Sequence, residues 1–164
     1  MGPPPFQVDR KSRVIAPNDL PNELGSAQTY TIIGGGKTAF DAILFLLRFG
    51  ISPSAIQWVI PRDSWLLDRA NIQPIMESLG MSMFHQNASI AEAKDLEDLF
   101  LRLEQSGSLM RLDKTITPTM YRCATVTKTE LEELRKVQKI TRGSRVTSIT
   151  AVSYTHLRAH ETEA

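Results

Sequence analysis

Cysteine is almost missing from this chain: Cys123 is the only one among 164 residues. That excludes an internal disulfide framework and fits a reducing cytoplasm, the compartment we expect. No His or Lys is evident beside Cys123 to activate its thiol, so it reads as buried or inert. An excess of one charge is missing too. The 19 Lys and Arg against 18 Asp and Glu leave a net charge of +1, so charge gives no case for nucleic acid or a membrane surface as partner. No apolar run approaches the ~20 residues that cross a bilayer. The chain opens on Pro3, Pro4 and Pro5 instead of a charged region followed by an apolar core, so it does not read as a signal peptide. It also lacks an internal repeat and a low-complexity tract.

What is present is ordinary for a globular domain with a core, at 41% hydrophobic and 23% charged residues. One stretch organises the rest. The β-rich run Tyr30–Ile33 leads directly into Gly34-Gly35-Gly36-Lys37-Thr38-Ala39, which fits the dinucleotide pattern G-x-G-x-x-G/A. In that pattern Gly34 permits the turn off the strand, Gly36 lets backbone approach a pyrophosphate, and Ala39 lets helix and strand pack closely. Unpaired N–H groups at the helix start, with the positive end of its dipole, then hold phosphate. Ala39, Ala42, Ile43, Leu46 and Leu47 recur at helical spacing, Gly50 stops the helix, and Ile56–Ile60 reads as a second buried strand. The bland alternative is a glycine-rich connection with no ligand. A P-loop would need glycine at position 31, where Thr31 stands in mid-strand.

Around this unit, residues 1–28 read as a proline-rich connecting segment, with Arg13–Ala16 a candidate short strand. Residues 63–71 read as a loop with helical turns, and Ile75–Met83 is ambiguous. Ile90–Gln105 reads as one helix ending near Gly107, and Tyr121–Val126 as a short strand. Thr127-Lys128-Thr129-Glu130 is a capping box that opens a helix to about Val137. Lys139–Ile149 alternates as a strand, with Gly143 a turn or bulge. We therefore expect an α/β fold over 29–150: a partial Rossmann-like, doubly wound parallel sheet in the sequence strand, helix, strand, helix, strand. A helical insertion at about 73–126 interrupts it. The strands are expected near 30–33, 56–60 and 144–150, in spatial order 3-2-1.

Ile32 through Ala42, with Trp58-Val59-Ile60-Pro61-Arg62-Asp63-Ser64-Trp65-Leu66, resembles the second, NAD(P)-binding fingerprint of two-dinucleotide flavoproteins such as the flavin-containing monooxygenases. The run Pro118–Val126 and the helix after it also resemble a bacterial or fungal branch of that group. The resemblance is specific over 30–69 and looser elsewhere. It implies an oxidoreductase parent, monooxygenase-like, that takes hydride from NAD(P)H onto FAD. The flavin fingerprint of that family is not in this sequence. The resemblance thus implies a fragment, inactive by itself, whose partner is the missing flavin-binding half. The alternative is a non-enzymatic nucleotide-sensing Rossmann module. Val152–Thr162 resembles a translated sequencing adapter, so 151–164 is expected to be an artefactual disordered tail. His156 and His160 within it are spaced for a metal but have no third ligand nearby.

The candidate cofactor residues are Gly34, Gly35, Gly36, Lys37, Thr38, Ala39, Arg62 and Asp63. Arg62 follows the second strand, where an Arg takes the 2′-phosphate of NADP; Asp63 is the acidic, NAD-type alternative. The expected cofactor is NADP, with NAD kept open. Thr38 either bonds phosphate or caps locally, Lys37 reads as a solvated charge, and Asp41 complements the helix dipole. Trp58 reads as core, and Trp65 as loop filling or a cover over the cofactor. Tyr121 and Arg122 are candidates to border a substrate site in the intact parent. Hydride chemistry resides in the cofactors, so no residue is named as catalytic and no metal is expected.

Overall fold

The computed structural model describes residues 6–72, 76–143 and 145–150. Its described residues form two compact units, one from those up to Arg62 with those from Val137 on, and one from those between Asp63 and Lys136. The whole is mixed α/β with parallel strand pairing.

In the first unit, β1 (Gln7–Val8) is followed by Arg13–Ala16, a candidate short strand that forms no ladder here, and then by a 3-10 turn at Pro17–Glu23. Pro17 and Pro21 suit that turn, since proline fixes φ near helical values. Then follow β2 (Tyr30–Ile33), α1 (Lys37–Arg48) and β3 (Ile56–Ile60). β2 pairs in parallel with β3. β3 in turn pairs in parallel with a third strand, Ile140–Arg142, so β3 lies between the other two. The strand order is 3-2-1 as expected, but the third strand is Ile140–Arg142 and not the stretch near 144–150. Gly143, at φ +80°, leaves the extended region and separates the two stretches. Ser148–Ile149 pairs with β1 in a separate two-stranded ladder.

β3 is the centre of this core. Ile56, Trp58, Val59 and Ile60 are buried, leaving only Gln57 outward, the near-continuous apolar run of a parallel strand covered on both faces. α1 buries Ala39, Phe40, Ala42, Ile43 and Leu46 along one stripe. Gly50 ends it with φ +83°, a conformation that glycine adopts without strain.

The second unit corrects several expectations. Residues 64–68, read as loop, form strand β4 (Ser64–Asp68), and the segment expected as a largely helical insertion carries strands as well as helices. β4 is the middle strand of a three-stranded sheet, antiparallel to β5 (Leu109–Met110) and parallel to β6 (Met120–Val126). Ser-Trp-Leu-Leu-Asp carries no alternation, and its parallel partner lies over 50 residues away, so local sequence could not reveal it. The single helix expected over Ile90–Gln105 is two, α2 (Met76–Glu92) and α3 (Leu96–Gln105). Asp95 starts the second, its carboxylate accepting from the Asp98 amide at 2.8 Å. The capping box is formed: Thr127 Oγ1 accepts from the Glu130 amide at 3.1 Å, and Glu130 Oε2 accepts from the Thr127 amide at 2.8 Å. It opens α4 (Lys128–Arg135), which buries Leu131 and Leu134 in this second unit. The strand Ile140–Arg142 is β7 and Ser148–Ile149 is β8. The expected tail 151–164, with His156 and His160, lies outside the described residues.

Candidate functional site

The first unit builds its candidate site where β2 gives way to α1. Gly34 leaves the strand at φ +132°, which a side chain would strain, and its amide still donates to Val59 O at 2.9 Å. The turn therefore stays anchored to β3. A second anchor was not legible beforehand. Trp58, expected as plain core, is fully buried, and its indole Nε1–H donates to Gly34 O at 2.7 Å. Phe40 of α1 packs edge-on against the same indole, with centroids 5.7 Å apart and planes at 84°. A tryptophan on a central strand with an N–H to satisfy was the available signal.

The three glycines have different physical reasons. At Gly35 an added Cβ would lie 3.0 Å from Ile60 Cγ2 and 3.2 Å from Arg62 O, so this glycine is required by packing against the end of β3. At Gly36 an added Cβ would meet nothing within 4 Å. Gly36 is the N-cap of α1, with φ −109°, and its own carbonyl accepts from the Ala39 and Phe40 amides. No side chain caps this helix end. The Lys37 and Thr38 amides, in the first turn, have no intrahelical acceptor. Ala39 is buried, and its Cβ lies 3.7 Å from the position a Gly34 Cβ would take, the close helix–strand approach that the spacing implied.

The polar candidates are distributed unevenly. Thr38 is exposed in the first turn of α1. Lys37 forms an ion pair with Asp41 one turn on, so it is already engaged along the helix surface. Arg62 is exposed, and the contact of its carbonyl with Gly35 sets it beside the glycine turn, at the end of β3. Its guanidinium has no ion pair with any described residue. Gly34, Gly35, Gly36, Lys37, Thr38, Ala39 and Arg62 therefore all belong to one end of the first unit. Asp63 opens the second unit.

The second unit has a cleft of its own, about 530 Å³, lined by Trp65, Leu96, Glu97, Phe100, Thr117, Pro118, Thr119, Met120 and Tyr121. Trp65 belongs to β4, not to a loop, and is buried. Phe100 of α3 stacks on it with centroids 5.3 Å apart and planes at 12°, while the Arg111 guanidinium lies 5.6 Å from the indole centroid. Arg111 is itself held by Glu104 at 2.6 Å, and this carboxylate raises its pKa above the ordinary value. Tyr121 stands at 53° to Phe100, and its residue remains about half exposed. The side chains of Arg122 and Cys123 lie outside the described residues. No cluster of three metal-ligating side chains occurs among the described residues.

Comparison with known proteins finds relatives that have no assigned function. The chain is 42% identical over 156 residues to the uncharacterized protein Rv2000 of Mycobacterium tuberculosis and equally to the uncharacterized protein Mb2023 of Mycobacterium bovis. The match covers 91% of this chain but 28% of either relative, so the chain spans little more than a quarter of their length. No family model matches, and no solved structure matches. No helix among the described residues is long and apolar enough to cross a membrane.

Proposed function

We propose that the first unit binds the pyrophosphate and adenosine portion of NAD(P)H, as the incomplete NAD(P)-binding half of an FAD-dependent, monooxygenase-like oxidoreductase. The parallel β2–α1–β3 arrangement with its third strand is the start of a doubly wound, Rossmann-like sheet in this reading. The observation that carries it is the contrast between neighbouring glycines. Gly35 is packed against β3, whereas at Gly36, the N-cap of α1, an added Cβ would meet nothing within 4 Å. A pyrophosphate fits that space, because the Lys37 and Thr38 amides have no intrahelical acceptor there and the helix dipole favours an anion. Trp58 holds the turn in place through Gly34 O. Arg62 extends from the end of β3, where a ribose 2′-phosphate would receive paired, charge-assisted hydrogen bonds. NADPH is thus the preferred cofactor and NADH the alternative. When bound, the nicotinamide supplies hydride; the residues of this chain bind and orient the cofactor.

Titration calorimetry with NADPH and NADH tests the reading, on this chain and on the longer mycobacterial relative. Replacing Arg62 by Ala is expected to weaken NADPH about tenfold, the loss of a charge-assisted contact of ~1.5 kcal/mol, and to leave NADH nearly unchanged. Equal losses for both cofactors would make Arg62 a general adenosine contact. Tighter NADH binding to the unaltered protein would reverse the cofactor assignment. No binding of either to the longer relative would refute the nucleotide reading. Binding without NAD(P)H oxidation by the full-length relative supplied with FAD would favour the sensing module.

A further inference from the structure

The cleft of the second unit is built from residues that the nucleotide reading does not use. Its lining combines aromatic and aliphatic side chains with threonines and a single charged side chain, Glu97. Phe100 is fixed by its stack on Trp65, and the other ring, Tyr121, stands at 53° to it with centroids 6.1 Å apart. Two rings at such an angle offer the walls of a corner to a rounded apolar group. Glu97 is exposed and has no ion pair among the described residues, unlike its neighbour Asp98, which is held by Arg102 at 2.9 Å. Arg111, the cation that lies over Trp65, is paired with Glu104. The lining residues are therefore apolar apart from the threonines and one negative charge.

We infer that this cleft binds a small organic cation with an apolar body, a quaternary ammonium of the benzyl or branched-alkyl kind. The ring faces attract the positive charge through their quadrupoles. Glu97 adds an opposite charge at the rim. Pro118, Met120 and Leu96 supply dispersion contacts to the apolar body. A volume of about 530 Å³ lies within the range of small-molecule sites. An anion would meet Glu97 unfavourably, and a bare metal ion would find one carboxylate, too few ligands for a site.

The test uses benzyltrimethylammonium and its neutral isostere, neopentylbenzene, titrated into the ¹⁵N-labelled full chain. The chain holds two tryptophans, Trp58 in the first unit and Trp65 in the cleft wall, so their indole N–H resonances report separately on the two units. The expected result is a saturable shift of the Trp65 signal with Trp58 unmoved. The cation should bind about tenfold more tightly than the isostere, the product of a cation–π term and an exposed ion pair. In Glu97→Gln that preference should narrow to about threefold, with affinity for the isostere unchanged. Tyr121→Leu, which keeps an apolar wall, should also narrow it. Unchanged amide spectra elsewhere verify that each variant is folded. Equal affinity for cation and isostere in the unaltered chain overturns the proposal, as does a shift confined to Trp58 or a Glu97→Gln variant with the full preference.

Discussion

Replacing Gly35 and Gly36 in turn by alanine should separate folding from binding at adjacent positions. At Gly35 the new methyl would sit 3.0 Å from Ile60 Cγ2 and 3.2 Å from Arg62 O. Neither neighbour yields easily: Ile60 is buried and β-branched at the end of the central strand, and the oxygen belongs to the backbone. Overpacking of this kind costs about 1–3 kcal/mol. The stiffer unfolded chain returns about 0.4–1 kcal/mol, for a net destabilisation of about 1–2 kcal/mol. At Gly36 the methyl meets nothing within 4 Å, and φ −109° suits any residue. Alanine is a poorer N-cap than glycine by about 0.5–1 kcal/mol, which the same entropic gain roughly cancels. Stability should therefore stay within about 0.5 kcal/mol of the parent chain. The Gly36 methyl would instead stand in the space assigned to pyrophosphate and weaken NADPH by about tenfold or more, ~1.4 kcal/mol at least. Urea unfolding followed by far-ultraviolet circular dichroism gives the stabilities. Hydrogen exchange of the β2 and β3 amides assigns any loss to the first unit, and calorimetry gives the affinities. A Gly35→Ala chain as stable as the parent would refute the packing argument. Undiminished NADPH binding by Gly36→Ala would remove the pyrophosphate from this turn.

Three further outcomes follow from the second unit. Thr127→Ala removes one arm of the capping box and should cost about 1 kcal/mol in urea unfolding, whereas Thr127→Ser should retain most of it. Arg135 bridges distant backbone, donating to Leu112 O at 2.8 Å and Arg111 O at 2.7 Å. Arg135→Ala should cost about 2 kcal/mol by the same assay, and faster exchange of α4 amides would place the loss there. The Lys94 amide, followed by the Arg102 guanidinium, holds the Asp98 carboxyl below the ordinary aspartate range. A depressed folded pKa gives a contribution present above the unfolded value and lost as pH falls through the folded one. Acid titration monitored at the Asp98 carboxyl carbon should show a midpoint below that of a free aspartate, and Asp98→Asn should flatten the acid limb of stability. A midpoint at or above the free value would contradict this.

The sequence by itself determined the local parts of this protein. Tyr30–Ile33, the glycine turn, the helix to Arg48 and Ile56–Ile60 all form where their patterns place them, because period, glycine punctuation and short connections are local properties. The capping box at Thr127 is local as well, with Thr127 and Glu130, three residues apart, satisfying each other's amides. Tertiary structure decided the rest. β4 exists because Leu66, Leu67 and Asp68 find Ala124, Thr125 and Val126, a pairing no window of sequence contains. The same holds for the aromatic cleft, whose walls come from β4, α3 and β6. At the glycine turn, the sequence pattern assigned roles to Gly34 and Gly36 and none to Gly35. Only packing made Gly35 a structural requirement and left Gly36 open, because the end of β3 lies against one and free space against the other. Trp58 likewise became the anchor of the turn when the fold brought its indole N–H to Gly34 O, 24 residues away in the chain.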